Sequence, residues 1–335
     1  MKNKNYRRTA LVLTMGVILA IIAGCFGGSN KLIDSEKQPK FVAVSTGQKA
    51  AYSYDGIKWV GTKMPSGAHW TSVCYGNGKF VTVADWGKIA AYSEDGIKWF
   101  KAAISSKKWK SVCYGNGKFV AVAEGGQTAY SEDVIKWTET IMPGSDQWTN
   151  WNSVCYGNGK FVAVAHNDKS AYSYDGIKWT ETKMLRGTWV SIAYTGDRFI
   201  ALSYNDDFGP PAYSYDGIEW FYITMPYSAQ SVTYGNGKFV AVSGNNIRFG
   251  NDIAVYSTDG IKWKKTTLPG KTYWTRVCYG NGRFAAIGYG KFYGSCLFRG
   301  WEPNKTAAYS EDGINWAITT MPKDAHWISI CYGGD

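Results

Sequence analysis

Histidine is scarce in this chain, which has three among 335 residues. His69, His166 and His326 match no metal-binding spacing, and two of them stand in the same repeated phrase, A-H-W, which is typical of a structural role. No Gly-x-Ser-x-Gly nucleophile elbow is present. After residue 30, no segment shows the 3.6-residue period of an amphipathic helix. The sequence therefore predicts an all-β protein with no metal and no cofactor.

An apolar run long enough to span a membrane is also missing, because about 20 apolar residues are needed and the run from Leu11 to Ala23 is shorter. A basic segment precedes this run and contains Lys2, Lys4, Arg7 and Arg8. This order is typical of a secretory signal peptide. The run ends in Ile22-Ala23-Gly24-Cys25, which resembles the lipobox of bacterial lipoproteins. An ordinary signal peptide that happens to contain a cysteine is the alternative.

The lipobox resemblance implies how the first residues are used. Residues 1–24 are then a lipoprotein signal peptide, and Cys25 carries the lipid as the mature N-terminus. Residues 25–39 comprise this cysteine and a polar segment containing Gly, Ser and Lys, which is typical of a flexible tether. We therefore expect a membrane partner through Cys25 and an extracytoplasmic location, on the bacterial cell surface or facing the periplasm.

The formal net charge is +11, and four of the positive residues precede Cys25, which leaves +7 for the mature chain. Lysines recur at one position of a repeat, at Lys58, Lys98, Lys136, Lys178 and Lys262. Recurrence indicates a solvated strand face, so we do not expect nucleic acid as a partner.

Cysteine is present seven times, yet the pattern does not favour disulfides. Five cysteines occupy the same slot of successive repeats: Cys74, Cys113, Cys155, Cys278 and Cys331. We expect equivalent slots to be too far apart for the roughly 7 Å between Cα atoms that a disulfide allows. Ala193 and Thr233 fill the same slot elsewhere, which indicates a small buried position.

Two phrases alternate along the chain at a spacing of about forty residues. The phrase Y-S-x-D-G-I-x-W begins at Tyr52, Tyr92, Tyr172, Tyr213, Tyr256 and Tyr309, with a degenerate copy at Tyr130. The phrase W-x-S-V-C-Y-G-N-G-K-F-V-A-V begins at Trp70, Trp109 and Trp151, with looser copies from Trp189, Ala229 and Trp274. Each repeat therefore predicts one supersecondary unit.

Each unit is interpreted as four antiparallel strands, with Asn-Gly and Asp-Gly as two-residue turns and I-K-W-T-E-T as the fourth strand. Four strands per unit of this length predict a β-propeller blade. Six units are complete between residues 70 and 320, and residues 40–62 and 327–335 together supply one more. The sequence predicts a seven-bladed β-propeller over residues 40–335, closed by pairing of its C-terminal strand with the N-terminal partial blade. Closure leaves no open edge at the junction, and we expect a monomer.

The segment Ser53-Tyr54-Asp55-Gly56-Ile57-Lys58-Trp59 resembles the Asp-box of BNR repeats, found in bacterial sialidases and related propellers. It differs in lacking one residue between Asp and Gly. The resemblance implies a sialidase-like propeller in which the box is a structural hairpin away from the binding site. The aspartates assigned to these structural turns are Asp55, Asp95, Asp175, Asp216, Asp259 and Asp312.

Antiparallel order places both short turns of every blade on one face, so the variable loops share the opposite face, where function concentrates. These loops lengthen in the fourth, fifth and sixth units and predict one raised lobe at the rim of the channel. The candidate ligand-binding residues in this lobe are Tyr204, Asp206, Asp207, Arg248, Phe249, Tyr289, Phe292, Tyr293, Arg299 and Trp301. Packing of the longest insertion onto itself is the alternative.

The sialidase resemblance does not extend to catalytic residues, because the Arg-Ile-Pro motif of those enzymes is absent. A glycosidase needs two carboxylates facing each other, and most carboxylates here belong to the Asp-boxes. The sequence favours a membrane-anchored binding or scaffold module that recognises a protein or glycan, with no catalytic residues assigned. A sialidase-like glycoside hydrolase and an envelope complex assembly factor are the alternatives.

Overall fold

The structure is a computed structural model that describes residues 41–334 except 145, 167, 205–208, 244–250 and 295–298, and only the backbone of 292–294 and 299. The chain divides into two units, residues 1–36 and 37–335, and every described residue belongs to the second. The predicted signal peptide and tether, Cys25 included, lie outside the described residues. No helix in the described part of the chain is long and apolar enough to cross a bilayer.

Antiparallel strands build the described structure, so the all-β prediction is confirmed. One sheet has six strands, in the order β28 (Trp327–Tyr332), β1 (Phe41–Ser53), β2 (Val60–Gly76), β3 (Lys79–Ala84), β4 (Ala90–Ser93), β5 (Phe100–Ala102). Five further sheets have four strands each. Three of them contain β6 (Trp109–Gly115), β7 (Lys118–Ala123), β8 (Gln127–Ser131), β9 (Thr138–Ile141); β10 (Trp151–Gly157), β11 (Lys160–Ala165), β12 (Lys169–Ser173), β13 (Thr180–Lys183); and β14 (Trp189–Thr195), β15 (Arg198–Ser203), β16 (Ala212–Ser214), β17 (Phe221–Tyr222).

The other two four-stranded sheets follow in the chain. They contain β18 (Ser231–Gly235), β19 (Lys238–Val242), β20 (Asn251–Ser257), β21 (Lys264–Thr272); and β22 (Trp274–Gly280), β23 (Arg283–Gly288), β26 (Asn304–Ser310), β27 (Ala317–Ala325). A separate two-stranded hairpin, β24 (Lys291–Gly294) with β25 (Arg299–Glu302), is inserted between β23 and β26.

The prediction of seven separate blades is wrong, because the blades in the described residues number six when counted as hydrogen-bonded sheets. The difference lies in β1 and β2, which continue across the expected boundary. Strand β1 pairs with β28 up to Ser45 and with β2 from Thr46 onward. Strand β2 pairs with β1 as far as His69 and with β3 from Trp70. The predicted closing blade is therefore fused with the first complete unit into one six-stranded sheet.

Pairing of a segment that was expected to be a connection causes this fusion. Lys63 pairs with Lys49, and then Ala68 and His69 pair with Gly47 and Thr46 beyond an irregularity in the register. The two halves of the six-stranded sheet nevertheless pack against each other through Val44, Trp70 and neighbouring apolar residues. This sheet therefore supplies two of the innermost strands, β28 and the second half of β2.

The innermost strands form a closed ring around a central channel, in which each contacts the next and β28 contacts both β22 and β2. A serine in the W-x-S phrase links neighbours, because its Oγ accepts a hydrogen bond from a backbone N–H of the adjacent innermost strand. The bonds, each 3.1–3.2 Å long, join Val112 N to Ser72, Val154 N to Ser111, Ile192 N to Ser153, Val277 N to Ser231 and Val73 N to Ser329.

Aromatic side chains fill the space between sheets. The largest fully buried side chains are Trp70, Trp109, Trp151, Trp189, Trp274, Trp327, Phe41, Phe80, Phe119, Phe161, Phe199 and Phe284. The indole N–H of Trp70, Trp109, Trp189, Trp274 and Trp327 donates to a backbone carbonyl, for example from Trp109 Nε1 to Ser105 O at 3.0 Å. Burial of such rings dominates core energetics, so much of the high aromatic content serves the scaffold.

The two turn types differ in how well the sequence predicts them. At the Asn-Gly turns both residues have positive φ, for example Asn77 at 46° and Gly78 at 73°, as the hairpin signal predicts. The Asp-Gly segment is not a two-residue turn, because β1 ends at Ser53 and β2 begins only at Val60. The Ile-Lys-Trp residues of the phrase therefore belong to the turn, and the predicted start of the fourth strand is wrong.

A carboxylate explains the longer turn. Asp55 Oδ1 accepts hydrogen bonds from the amides of Ile57 and Lys58, both 2.8 Å long, and from Ser53 Oγ at 3.0 Å. The backbone at Ile57 and Lys58 turns toward this oxygen to donate its amides, and the next strand begins only at Val60. Amide donors at the equivalent turn lower the pKa of Asp259 to about 2, so this aspartate is ionised at neutral pH.

Candidate functional site

A cavity of about 450 Å³ opens at the mouth of the central channel. Its volume falls in the range of small-molecule binding sites. We call it the channel-mouth cavity, and its lining residues are Thr71, Lys110, Asn152, His166, Thr188, Val190, Tyr204, Gln230, Arg276 and Ile328. His166 and Tyr204 follow β11 and β15, so the cavity lies on the face of the variable loops.

The repeat itself positions most of the lining. Six lining residues occupy one slot, the x of W-x-S or its equivalent after Ala229: Thr71, Lys110, Asn152, Val190, Gln230 and Ile328. Apart from the half-buried Arg276, the residues on either side of this slot are buried scaffold, whereas the slot holds six residue types in seven units, with threonine at both Thr71 and Thr275. The scaffold is thereby kept constant while the chemistry of the cavity wall varies from strand to strand.

Arg276 lines the cavity from a different position of the repeat. It stands where the other units have the linking serine. Its side chain is half-buried, and Nη1 donates to Thr275 O at 3.1 Å and to Gln230 O at 3.5 Å. Burial lowers the pKa of Arg276, and an electrostatic interaction with Tyr273 opposes this shift. Arginine stays protonated even so. Within the described residues, this cation forms no ion pair with a carboxylate.

Lys110 brings a second cation to the wall, but this one is paired. Its Nζ lies 2.8 Å from Glu124 Oε1, and Lys108 Nζ lies 2.8 Å from Glu124 Oε2. Burial opposes ionisation of Glu124, but hydrogen bonds from both lysines prevail and lower its pKa. Burial also lowers the pKa of His166, which favours its neutral form near pH 7. Two lysines against one glutamate leave this side of the cavity positive.

The predicted lobe residues fall into three groups. Tyr204 lines the cavity. Tyr289 and Trp301 pack against each other with ring centroids 5.0 Å apart. Outside the described residues lie Asp206, Asp207, Arg248 and Phe249, and the side chains of Phe292, Tyr293 and Arg299 are not described either.

An aromatic cluster surrounds the described part of the insertion. Trp301 also contacts Tyr273 at 5.4 Å, and Tyr289 stacks on His326 at 4.5 Å. Burial raises the pKa of Tyr273 to about 12. For Tyr289 and Trp301 the contacts are those of packing, which was the alternative interpretation of this insertion. Tyr273 is close enough to Tyr204 and Arg276 for each to affect its pKa, so the cluster lies near the cavity.

Sequence reasoning missed Lys110, Asn152, Gln230 and Arg276 because they lie inside the repeated phrase, which suggested scaffold. A signal was present, since the x slot holds six residue types in seven units and only one unit replaces the linking serine. Two exposed tryptophans on the same face were also not singled out. Trp86 is 65% and Trp148 is 73% exposed, and Lys108 Nζ lies 5.1 Å from the centroid of the Trp86 ring.

The chain matches no protein-family model and no curated protein. It is similar to the solved structure of a streptogramin B lyase, with a TM-score of 0.64 and 10% identity over 78% of this chain and 86% of that one. Virginiamycin B lyase from Staphylococcus aureus gives a TM-score of 0.63 and 10% identity over 76% and 85%. YCF48 bound to a D1 peptide gives 0.58 and 14% over 76% and 88%. At these identities the similarity shows the β-propeller fold alone.

Proposed function

We propose that this protein is a membrane-anchored, extracytoplasmic binding module that recognises its ligand at the channel-mouth cavity, on the variable-loop face. The observation that carries the proposal is the x slot, where an otherwise constant repeat places six different side chains around one cavity. A purely structural ring has no need of this variety. Concave sites with a few convergent polar groups are the usual location of ligand binding.

Two further observations support a binding role. The exposed tryptophans Trp86 and Trp148 lie on the same face as the cavity, and exposed aromatic residues are enriched at contact surfaces. YCF48, a fold neighbour, is itself described in complex with a D1 peptide. The lining residues include no Asp or Glu among those described, so this part of the channel does not supply the carboxylate pair of a glycosidase.

An envelope complex assembly factor is a second candidate, because the positive groups described around the channel-mouth cavity outnumber the negative ones. Lys108, Lys110 and Arg276 lie there with Glu124, and Asp85 is near Lys108. Basic surfaces of this kind steer acidic partners and would suit a protein subunit. The two candidates share one site, so the same variants test both.

The anchor is tested by substituting Cys25. We expect Cys25→Ala to abolish incorporation of an alkyne fatty acid and to move the chain from the membrane to the soluble fraction, because the thiol is the lipid acceptor in the lipobox. Cys113→Ala is the matched control, since its free thiol occupies a slot that holds Ala193 in another unit. Unchanged labelling and fractionation of Cys25→Ala would contradict the anchor.

The binding site is tested by filling the cavity. Thr188 lines the cavity, and its side chain makes no hydrogen bond within the described residues. We expect Thr188→Trp to occupy the mouth and to remove binding on peptide and glycan arrays, with circular dichroism unchanged. The control is Lys58→Trp, in an exposed turn on the opposite face. Equal binding by both variants would place recognition elsewhere, and loss of binding by both would point to a general effect of the new indole.

A further inference from the structure

We propose that Arg276 binds a carboxylate of the ligand in the channel-mouth cavity, and that this carboxylate belongs to an acidic peptide segment. The inference rests on the proposed function and specifies its ligand chemistry. It begins from a comparison within the chain. The serine that Arg276 replaces would link two innermost strands, so the substitution forfeits a scaffold hydrogen bond and adds a half-buried charge.

The lost hydrogen bond and the added charge both lower the stability of the fold. Placing a charge away from water is costly unless it is paired. Local departures from a consistent scaffold concentrate at functional sites. The repeat thus shows what the scaffold would use at this position, and Arg276 is not that residue.

The hydrogen bonds of the guanidinium leave room for a bidentate partner. Both of its hydrogen bonds within the described residues, to Thr275 O and Gln230 O, use Nη1. Nε and Nη2 make no hydrogen bond within the described residues, although arginine offers five N–H donors in a planar fork. A carboxylate fits such a fork with two parallel hydrogen bonds. Arg276 also lines the cavity, so a ligand can reach it.

The remaining wall favours a peptide over a sugar acid. Val190 and Ile328 give aliphatic surface, which offers no hydrogen bonds to sugar hydroxyl groups and suits an apolar side chain of a peptide. Asn152 lies on the same wall, where its Nδ2 donates to Trp189 O at 2.7 Å and its Oδ1 can accept a hydrogen bond from a peptide N–H. Lys110, charged and close by, adds to the positive potential that attracts an acidic segment.

The test compares two pools of acetylated tripeptide amides that differ only at the centre, one with Glu and one with Gln. We expect the full chain to bind the Glu pool about tenfold or more tightly, because hydrogen bonds to a charged group exceed neutral ones by this order. Arg276→Ser should abolish the preference and leave the melting temperature unchanged or raised, since serine restores the repeat. Arg276→Lys should retain part of it, because lysine keeps the charge without the fork. The control Arg186→Ser, at an exposed arginine, should keep it.

Other outcomes separate this inference from the proposed function. Equal binding of both pools, lost in Thr188→Trp, would overturn the carboxylate site while leaving the binding module intact. Binding of glucuronate or N-acetylneuraminate without either pool would overturn the peptide assignment. An Arg276→Ser variant that melts lower and keeps the Glu preference would make Arg276 structural. No binding of any probe by the wild-type chain would count against both proposals.

Discussion

Deletion of residues 326–335 is expected to abolish the cooperative thermal unfolding transition. The deleted segment contains β28, which pairs with β1 in the register Phe41–Tyr332 and Ala43–Ile330. It also contains Trp327, which is fully buried. Loss of one buried tryptophan side chain costs about 3–5 kcal/mol, and whole domains are stable by only about 5–15 kcal/mol. The deletion removes this side chain together with an entire strand.

Hydrogen bonds on both sides of β28 increase the expected loss. Ser329 Oγ accepts from Val73 N at 3.2 Å, and Trp327 O accepts from Thr275 Oγ1 at 3.0 Å. Without them the ring opens and the first half of β1 becomes an exposed edge, which invites association between chains. Differential scanning calorimetry and size-exclusion chromatography measure the two effects.

Adding a synthetic peptide of residues 326–335 provides the control. The peptide should restore the transition in a concentration-dependent way, because binding to the folded state alone stabilises that state. A deletion variant that melts like the full chain would show that the pairing of β28 with β1 contributes little. A peptide that fails to restore a lost transition would point to damage beyond the missing strand.

Substitution of Gly157 by alanine is expected to destabilise the protein by about 3 kcal/mol, at the upper end of overpacking effects. A Cβ added at Gly157 would overlap the Cγ atom of Tyr194 on the next innermost strand. It would also lie too close to the Cβ atom of Tyr194, and a Cβ does not move when the side chain changes rotamer. The backbone would have to shift. Urea denaturation measures the change in the free energy of unfolding.

One unit of the natural chain already has a larger residue at this slot. Thr195 occupies it, buried to 2% exposure, and the facing Tyr234 is 39% exposed, whereas its equivalents are half-buried. Thr195→Ala is therefore the matched control: it creates no steric conflict and should cost only about 1 kcal/mol, because Thr195 Oγ1 loses its 3.0 Å hydrogen bond to Arg198 O. Similar losses at Gly157 and Thr195 would contradict a steric cause.

Much of the fold could be predicted because the same local sequence patterns recur in successive repeats. Asn-Gly between β-rich phrases specifies the first hairpin through φ, as at Asn77 and Gly78. The number of blades could not be predicted, because it depends on whether Lys63 to His69 pairs with β1 or forms a loop. Long-range pairing of a connection leaves no local pattern. The prediction of a two-residue Asp-Gly turn was wrong for a local reason. The length of the turn depends on the backbone amides that donate to Asp55 Oδ1, which are those of Ile57 and Lys58.

The candidate site was only partly predictable. Loop length pointed to the face that carries the channel-mouth cavity and to Tyr204, because length is readable from spacing. Lys110 and Arg276 were overlooked, since a residue inside a buried strand is normally scaffold and only the geometry of the ring turns its side chain toward a shared cavity. Comparison of equivalent slots, without searching for motifs, is what would have found them.

The x slot also bears on how such a protein could acquire new ligands. Each strand contributes one wall residue, and its neighbours in sequence carry the packing, as Trp151 and Ser153 do on either side of Asn152. If the proposed site is correct, substitutions at Lys110, Val190 and Ile328 would alter recognition with little effect on stability, whereas Thr71 and Asn152 also bond the next innermost strand. Shuffling whole units would then permute the wall residues around the channel. Duplication of the repeat would thus create several equivalent positions at which a substitution could change ligand specificity with a small loss of stability.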